Sequence, residues 1–420
     1  MSASTTATTG RTNRIWGWLT AFVRDPAFSA ALTAFGALRL ITVIVAIWGL
    51  GIAPLTLTWK HYAFDLNTTT FTTQGPLRTV LEPWYRWDTG WYIYVAYYGY
   101  RPNDVTLAFP PLYPYAIRAV QPLIGDYLIT ALLISNICSF LALYFLYKLV
   151  AETYGAKIAR STVFLFALCP SALFLAAGYS EPMFLMFGIA AWWVAQHQRY
   201  WLAGVLACLS ALTRPQGWVF ALPIMHLAVT QQFGSWRGFF AALRRPVEWF
   251  MNSLRIAPAI VGAPLGTAAY LFGVPLIGLG SIDDAGVNGW QSRLAPPWES
   301  VIIALQKFFS GQSSLLEVAN LVTFTIMLVM LLLSLRKLKP DFVLYLAGTL
   351  FVLALVVNER IILEGMIRYV THMFPMFITL ALLLSGRSLR HRVATTVYYV
   401  AACGGLILLT VLFARFWWIG

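Results

Sequence analysis

Long runs of apolar residues, separated by short polar stretches, recur along most of the chain. A membrane-spanning helix needs about 20 mostly apolar residues, and shorter helices are possible inside a tightly packed bundle. On this basis the pattern predicts about 11 spanning helices. They lie at about residues 29–52, 127–150, 159–177, 182–197, 201–213, 216–231, 255–278, 315–335, 341–357, 369–386 and 394–416. The four runs between residues 159 and 231 are short and are joined by very short loops.

Two long segments without a spanning run lie at residues 53–126 and 279–314. The first is rich in Trp and Tyr, which favour the headgroup level of a bilayer, and it contains a short helical run at 92–98. In the second, apolar residues recur with helical spacing over 298–309, which predicts a helix lying in the membrane interface. Neither segment has the character of a separate domain.

The composition supports a membrane protein and excludes several other classes. Hydrophobic residues make up 59% of the chain and charged residues 11%, with a mean hydropathy of +0.71. Soluble domains contain roughly 25% charged residues. This chain has too few charges to cover a water-facing surface, which excludes a soluble enzyme, a disordered regulator and a nucleic-acid-binding module. We therefore expect residues 1–420 to form one all-α, polytopic integral membrane domain.

The distribution of charge predicts which segments face the cytosol. If residues 1–28 are cytosolic, Lys and Arg are more frequent in the short inside segments, and most acidic residues lie outside. That bias follows the positive-inside rule, and it explains the net charge of +13 better than a nucleic-acid partner does, since no long basic block occurs. The N-terminal segment shows no cleavage site and is expected to be retained. Residues 53–126 and 279–314 then lie outside.

The first candidate for chemistry is Asp88 in the first outer segment. It is surrounded by Arg86, Trp87, Trp91 and Tyr92, directly before the short helical run. Aromatic neighbours near a membrane reduce the hydration of a carboxylate, which raises its pKa toward the range of a general base. The alternative is an interfacial aromatic belt in which Asp88 only pairs with Arg86.

Two further candidates lie at outer ends of predicted helices. Tyr179 and Glu181 precede Pro182, a pattern that also fits the start of a helix. Arg214 lies in a Pro- and Gly-containing turn, Thr213 to Gly217. An arginine in a membrane-embedded turn is a candidate for binding an anion, and phosphate matches its planar donors.

The last cluster begins at Asn358 and continues through Glu364 to Arg368, Tyr369 and His372. Arg368 and His372 are four residues apart, so a helix would place them on one face, pointing into the bundle. The alternative is that they extend to the headgroups. A separate basic residue, Arg39, lies inside the first predicted span and needs an acid or a phosphate nearby.

Several chemistries have no signature in the sequence. There is no Walker loop, dinucleotide-binding glycine pattern, Gly-x-Ser-x-Gly elbow or His-Glu-x-x-His. The acid pair Asp283-Asp284 is read as a solvated loop, and the four cysteines lie in apolar stretches without zinc or disulfide spacing. No metal and no cofactor are expected. Asn67-Thr68-Thr69 is a weak match to a glycosylation sequon on the outer side.

Taken in order, several motifs resemble a known family. Arg86-Trp87-Asp88, Gly99-Tyr100 and the run from Phe109 to Pro114 resemble the first luminal loop of the second GPI-anchor mannosyltransferases, the PIG-V-like family, and their prokaryotic relatives. The further matches are Pro170-Ser171, Tyr179-Ser180-Glu181, Thr213-Arg214 with Gly217, and Arg368-Tyr369 with Phe374-Pro375. Pro110 departs from the family, which usually has a second Phe there, without touching a chemical role.

The resemblance implies a glycosyltransferase of the GT-C class that transfers mannose from a polyprenyl-phosphate donor to an acceptor hydroxyl. In that class an acid of the first outer loop is the base, and Asp88 occupies that position. A single carboxylate suits one displacement that inverts the anomeric centre, whereas retention needs a second acid as nucleophile. Glu181 is the alternative base. Substrate binding is assigned to the other candidates. They are Arg86, Trp87, Trp91, Tyr179, Glu181, Arg214, Arg368, Tyr369 and His372.

The partners and location are less constrained by the sequence. The acceptor could be a glycolipid, an oligosaccharide or a protein side chain, and no nucleic acid is expected. We expect a prokaryotic plasma membrane with the site on the extracytoplasmic face, or the ER lumen in a eukaryote. Two other functions compete: a transporter or flippase of a lipid-linked sugar, which would favour an inverted repeat, and a non-catalytic scaffold subunit. No repeat is evident.

Overall fold

The protein is described here by a computed structural model covering residues 23–51 and 77–419, and nearly all of its regular structure is helical. Residues 1–22 of the predicted N-terminal segment and Asn67 of the predicted sequon lie outside these residues. The helices are α1 (Pro26–Gly51), α2 (Leu77–Leu81), α3 (Asp88–Tyr98), α4 (Leu112–Ile124), α5 (Tyr127–Tyr154), α6 (Ala156–Ala167), α7 (Leu173–Ala176), α8 (Glu181–Gln196), α9 (Tyr200–Thr213), α10 (Ala221–Phe233), α11 (Trp236–Ala242), α12 (Pro246–Leu276), α13 (Ile282–Asp284), α14 (Pro297–Phe309), α15 (Leu315–Ser334), α16 (Pro340–Ala354), α17 (Met366–Tyr369), α18 (Pro375–Leu384) and α19 (Leu389–Ala414). Two short strands, β1 (Ser292–Leu294) and β2 (Val356–Asn358), pair antiparallel.

Every predicted span overlaps a helix over at least part of its length, and the all-α, polytopic membrane class is confirmed. Within the described residues, five helices are long and apolar enough to cross a bilayer: α1, α5, α12, α15 and α19. A sixth crossing results if α6 and the following 170–176 segment, bent by 74° at their junction, count as one span.

The expected number of 11 spans is not confirmed. Helices α8, α9, α10, α16 and α18 have between 10 and 16 residues, too few to cross a hydrocarbon core of about 30 Å at a rise of 1.5 Å per residue. Hydropathy marks where apolar runs lie, but it does not show where a helix breaks. The predicted helix at 369–386, for example, begins only at Pro375.

Local sequence explains where several helices begin. Ser314 and Glu317 form a reciprocal capping box at the start of α15, in which the Ser314 hydroxyl accepts from the Glu317 N–H and the Glu317 carboxylate accepts from the Ser314 N–H. Asp126 accepts from the N–H of Ile129 at 2.8 Å and caps α5. These caps satisfy backbone donors that the first turn of a helix leaves unpaired.

The centre of the bundle contains α5 and α8, whose side chains are largely buried. Helices α9 and α12 approach closely because glycines line their contact. A Cβ on Gly204 would lie 2.1 Å from the carbonyl oxygen of Pro258, and one on Gly266 would lie 2.4 Å from that of Cys208. Small residues at a contact let two membrane helices pack backbone to backbone.

The outer segments pack on one another above the bundle. The predicted run at 92–98 is helical within α3, and the predicted interfacial helix is α14. In α14, Trp298, Ile302 and Phe309 are exposed, while the small Ser300 and Ala304 face the protein. An exposed apolar face suits a helix that lies in a membrane interface.

Segments predicted to share a side meet at the same end of the bundle. At the inner end, Lys148 pairs with Asp25 at 3.2 Å, and the N–H of Lys339 donates to the Tyr154 hydroxyl at 2.7 Å. At the outer end, the guanidinium of Arg86 reaches the last turn of α19. We name the two ends inner and outer after the predicted sides, and the side of the membrane that each end faces stays a prediction.

Candidate active site

Four charged side chains, from four separate parts of the chain, meet at the outer end of the bundle. We call them the Asp88 cluster: Asp88, Glu181, Arg214 and Arg368. Asp88 is the first residue of α3, Glu181 the first of α8, Arg214 follows α9, and Arg368 lies in α17. All are buried, with Glu181 at 0% exposure. The sequence predicted each of these residues as part of the site, and the fold brings them together.

The cluster is an alternating series of opposite charges. Arg214 Nη1 lies 2.9 Å from Glu181 Oε1, and Arg368 Nε also donates to Glu181 Oε1. Arg368 Nη1 lies 2.6 Å from Asp88 Oδ2. The order is therefore Arg214, Glu181, Arg368, Asp88. Removing one member of such a buried series leaves an uncompensated charge, which typically costs about 3–5 kcal/mol.

The backbone at two positions makes the cluster possible. Arg214 is extended and is followed by a tight 3₁₀ turn. A Cβ on Gly217 would lie 2.4 Å from the Ala211 Cα, so only glycine lets this turn fold back against α9. Trp87, directly before Asp88, has φ 51°. Strained backbone of this kind costs of order 1–3 kcal/mol and persists where the surroundings enforce it.

Aromatic and hydroxyl groups hold the cluster from the protein side. Arg368 lies over the ring of Tyr179 at 4.6 Å, and Arg214 donates to the Ser180 hydroxyl at 3.1 Å. The same hydroxyl lies 2.6 Å from the Tyr92 hydroxyl. Tyr92 thus links α3, the helix that begins at Asp88, to the start of α8.

A cavity of about 530 Å³ opens beside the cluster. Its polar wall includes Asp88, Arg214, Asn358, Glu364 and Arg368. Its remaining wall is mostly apolar and comes from α12, α16 and the two strands. That wall includes Leu271, Leu294, Val352, Leu353, Leu355 and Val356. Pockets with an apolar wall and a few convergent polar groups are typical of ligand sites.

Four predicted residues line this cavity: Asp88, Arg214, Arg368 and Tyr369. The other predicted substrate-binding residues lie behind its wall. Glu181, Tyr179 and His372 are fully buried. Their contacts are with the protein, so any influence on a ligand would act through the residues in front of them.

Trp87 and Trp91 support the cavity from further out. Trp87 packs edge-on against Trp418 at 4.9 Å between ring centroids. Trp91 contacts Phe109 and Trp290, at 5.9 and 5.7 Å. Neither of these two predicted tryptophans lines the cavity, whose aromatic side chains are Tyr92, Phe109, Trp218, Trp290, Tyr369 and Trp418.

Arg86 does not pair with Asp88. Its side chain donates to the carbonyl oxygens of Ala414 at 3.0 Å and Glu82 at 2.6 Å, and it lies 3.8 Å over the ring of Phe416. It thereby attaches the first outer segment to the end of α19. The alternative in which Asp88 only pairs with Arg86 is therefore wrong.

The prediction that Arg368 and His372 share one helix face is wrong, because α17 ends at Tyr369 and turns lead from there to Pro375. His372 lies between the rings of Phe184 and Tyr369, at 4.7 and 5.1 Å.

The partner of Arg39 within the described residues is not an acid. Arg39 donates to the carbonyl oxygen of Ala176 at 2.6 Å and lies over the ring of Trp84 at 4.9 Å. That carbonyl belongs to the last residue of α7, where the helix dipole places partial negative charge.

The sequence placed Asn358 and Glu364 in the last candidate cluster without assigning them a site role, and it did not single out Trp290 or Trp418. All four line the cavity. Trp290 and Trp418 come from distant parts of the chain and carry no local signal. No group of three or more metal-ligating side chains occurs within residues 23–51 and 77–419.

These features define a class: a polytopic membrane protein with a ligand-sized cavity and a buried ionic cluster at one end. Comparison with known proteins gives the family. The model of the family described as Mannosyltransferase (PIG-V) matches residues 39–258, and the chain belongs to that family.

Related proteins carry the same family name. GPI alpha-1,6-mannosyltransferase 2 of Cricetulus griseus is 29% identical over 201 residues, which is 44% of this chain and 39% of that protein. The Mus musculus protein of the same name is 27% identical over 239 residues, 51% of this chain and 47% of that one. The matched regions span less than half the length of these relatives.

Among solved structures, the apo oligosaccharyltransferase of Archaeoglobus fulgidus aligns over 92% of this chain and 56% of its own, with a TM-score of 0.47 and 12% sequence identity.

Proposed function

We propose that the protein is a GT-C mannosyltransferase that takes its sugar from a polyprenyl-phosphate donor and transfers it, with inversion, to an acceptor hydroxyl. The observation that carries the proposal is the two-sided cavity, in which Asp88, Arg214 and Arg368 face an apolar wall formed by residues such as Leu271 and Val352. A sugar carried on a lipid phosphate has the same division into a charged head and an apolar tail.

The arginines supply donors for the phosphate. Arg214 Nε and Arg368 Nη2 are buried and have no hydrogen-bond partner within the described residues. An unpaired buried N–H group is costly, and a phosphate oxygen would satisfy it through a charge-assisted bond. The same groups would stabilise the negative charge that grows on the phosphate as the sugar departs. Such stabilisation is commonly worth about 3–4 kcal/mol for each donor.

Asp88 is assigned as the general base. It accepts the proton of the acceptor hydroxyl as that oxygen attacks the anomeric carbon, the carbon–oxygen bond to the phosphate breaks, and the lipid phosphate leaves as the anion. Asp88 suits this role better than Glu181, because Asp88 lines the cavity and Glu181 is fully buried between two arginines.

The ion pair with Arg368 holds the Asp88 carboxylate in position. A donor phosphate would compete for the same guanidinium. Binding of the donor would then weaken the Arg368–Asp88 contact and leave the carboxylate free to meet the acceptor hydroxyl when the sugar is in place.

The proposed location is a prokaryotic plasma membrane, with the cavity on the extracytoplasmic side. Its support is the positive-inside distribution of Lys and Arg. A multi-pass location follows from the five long apolar helices.

The test is a transfer assay with the purified full chain in lipid nanodiscs. Polyprenyl-phosphate-[³H]mannose and a membrane lipid extract are supplied, and products are analysed by mass spectrometry and by the configuration of the new linkage. We expect a hexose added with inversion. A product with retained configuration, or sugar–lipid transport without transfer, would overturn the proposal.

A further inference from the structure

Glu364 is an acid at the cavity that the mechanism above does not use. It follows β2 in the loop that leads to Arg368, where Gly365 adopts φ 83° and lets the chain turn. Each carboxylate oxygen accepts a hydrogen bond from a neutral donor. Asn358 Nδ2 donates to Oε2 at 2.5 Å, and Trp418 Nε1 donates to Oε1 at 2.8 Å.

Glu364 differs from the acids of the Asp88 cluster in having no ion-pair partner within the described residues. Asp88 and Glu181 are each held by at least one arginine. Burial raises the pKa of Glu364, and the nearby negative charge of Asp88 raises it further. An ionised carboxylate has about four lone-pair positions. Two are occupied by protein donors here, so the group can accept further hydrogen bonds from a ligand.

The surroundings of Glu364 match the chemistry of a sugar ring. Trp290 and Trp418 line the same cavity, and both indoles are anchored at their N–H groups, Trp290 to the Val105 carbonyl oxygen at 3.2 Å and Trp418 to Glu364. A hexose offers hydroxyl donors at its edge and C–H groups on its face. A carboxylate accepts from the hydroxyls, and an indole face packs against the C–H groups.

The position of Glu364 suits contact with the acceptor better than contact with the phosphate of the donor. The series of charges runs from Arg214 through Glu181 and Arg368 to Asp88. Glu364 accepts a hydrogen bond from Trp418, whose ring packs against Trp87, the residue directly before Asp88. The arginines are the proposed phosphate site. A ring bound at Glu364 therefore lies on the side of the base.

We propose that Glu364 is the residue that positions the acceptor: it accepts hydrogen bonds from vicinal hydroxyls of a hexose whose ring packs on Trp418 or Trp290. This inference rests on the proposed function, because it assigns an acceptor-positioning residue to that same site.

The first test is binding without any donor. Octyl α-mannoside, octyl β-glucoside and octyl β-galactoside are titrated into the full chain in nanodiscs, with octane-1,2-diol as the lipid without a sugar and methyl α-mannoside as the sugar without a lipid. We expect at least one glycoside to bind and the diol not to bind. Glu364→Gln should raise the Kd at least about tenfold, equivalent to about 1.4 kcal/mol, and Glu364→Asp should recover part of the loss.

Glu359→Gln is the matched control, since it makes the same change in the same loop. Glu359 is exposed and lies 3.8 Å from Arg293, outside the cavity lining. Its glycoside Kd should equal that of the wild type. Comparison of octyl with methyl mannoside distinguishes a glycolipid from a free oligosaccharide.

The second test is the split between kcat and KM in the transfer assay. Glu364→Gln should raise the KM for the glycoside about tenfold or more, the factor seen in Kd, while the donor KM stays within about twofold. A fall in kcat at unchanged acceptor KM would overturn the positioning role, as would unaltered glycoside binding. Transfer to a Ser/Thr peptide but to no glycoside would show that Glu364 does not position a sugar, and would overturn the inference.

Should Glu364→Gln fail to fold, the wild-type chain still decides the matter. A diazirine-bearing octyl glycoside is photo-crosslinked and the labelled peptides are mapped. Label at 290–292, 358–365 or 418 supports the inference, and label confined to other segments overturns it. Glutamate-dependent glycoside binding without any transfer would instead refute the proposed function and leave the sugar site standing.

Discussion

Charge is handled in opposite ways at the two ends of the bundle. At the inner end, basic side chains such as Arg237, Arg244 and Arg390 are exposed, and the ion pair between Arg245 and Glu248 is exposed as well. At the outer end, four charges are buried together in the Asp88 cluster.

The two arrangements have different physical explanations. Exposed inner charges stay hydrated, contribute little to stability and follow the rule that orients membrane proteins. Buried charges must be stripped of water, and a buried ion pair is often no more stabilising than apolar residues of equal volume. The outer arrangement is therefore better explained by what it binds than by the stability it confers.

The largest effect is expected for Asp88→Asn, which keeps the shape of the side chain and removes the base. Transfer should fall by at least about 10²–10⁴-fold, the usual contribution of general-base catalysis, while donor binding is preserved. The measurement is transfer of [³H]mannose by purified protein. Asp104→Asn is the control, because Asp104 caps a short turn in the same outer segment and Asn caps equally well. Near-normal transfer by Asp88→Asn would refute the assignment.

The second-largest effect is expected for Arg368→Ala. Turnover should fall by roughly 10²–10³-fold, because the variant loses a hydrogen-bond donor to the negative charge that develops on the phosphate. Arg214→Ala is expected to act in the same direction. The inner-end change Arg390→Ala is the matched control and should leave turnover unchanged. Normal donor affinity and turnover in both outer variants would place the phosphate site elsewhere.

Glu181→Gln should be the most damaging of these changes to stability, because it leaves Arg214 and Arg368 buried with less compensation. We expect a loss of about 3–5 kcal/mol in the free energy of unfolding. Reversible unfolding in mixed micelles measures it. Glu248→Gln, which breaks an exposed pair, should change it by about 0–1 kcal/mol. Equal losses in the free energy of unfolding for the two variants would show that the proposed contrast between the two ends is wrong.

The smallest functional effect is expected for single-cysteine variants that report which side of the membrane a residue faces. Arg244→Cys should be labelled by a membrane-impermeant maleimide only from the cytosolic face, and Asn67→Cys, outside the described residues, only from the opposite face. Both variants should retain transfer activity. Labelling of position 67 from the cytosol alone would place the Asp88 cluster in the wrong compartment for the proposed donor.

Some residues of the site could be predicted from the sequence more easily than others. Asp88, Arg214 and Arg368 are charged residues in an apolar chain, so their cost of burial made each one visible without a structure. The roles of Arg86 and Trp87 were not visible, since their contacts are with Phe416, Ala414 and Trp418 at the far end of the chain. Because Arg86 and Trp87 are next to Asp88 in the sequence, we had predicted that they contact the substrate.

The sequence by itself determined the membrane class and the approximate positions of the apolar helices, because hydropathy acts locally and sums along the chain. The side on which the charged residues lie stays a prediction from the same sequence. Only the tertiary structure decided which helices are too short to cross alone, where the helix before Pro375 breaks, and which groups share the cavity. Glu364, which the sequence placed in the last cluster without a role, acquires one only once Trp418, 54 positions away, is seen to hold it at the cavity. Hydrogen bonds between residues more than 50 positions apart depend on how helices pack, and packing leaves no periodic trace in a single sequence.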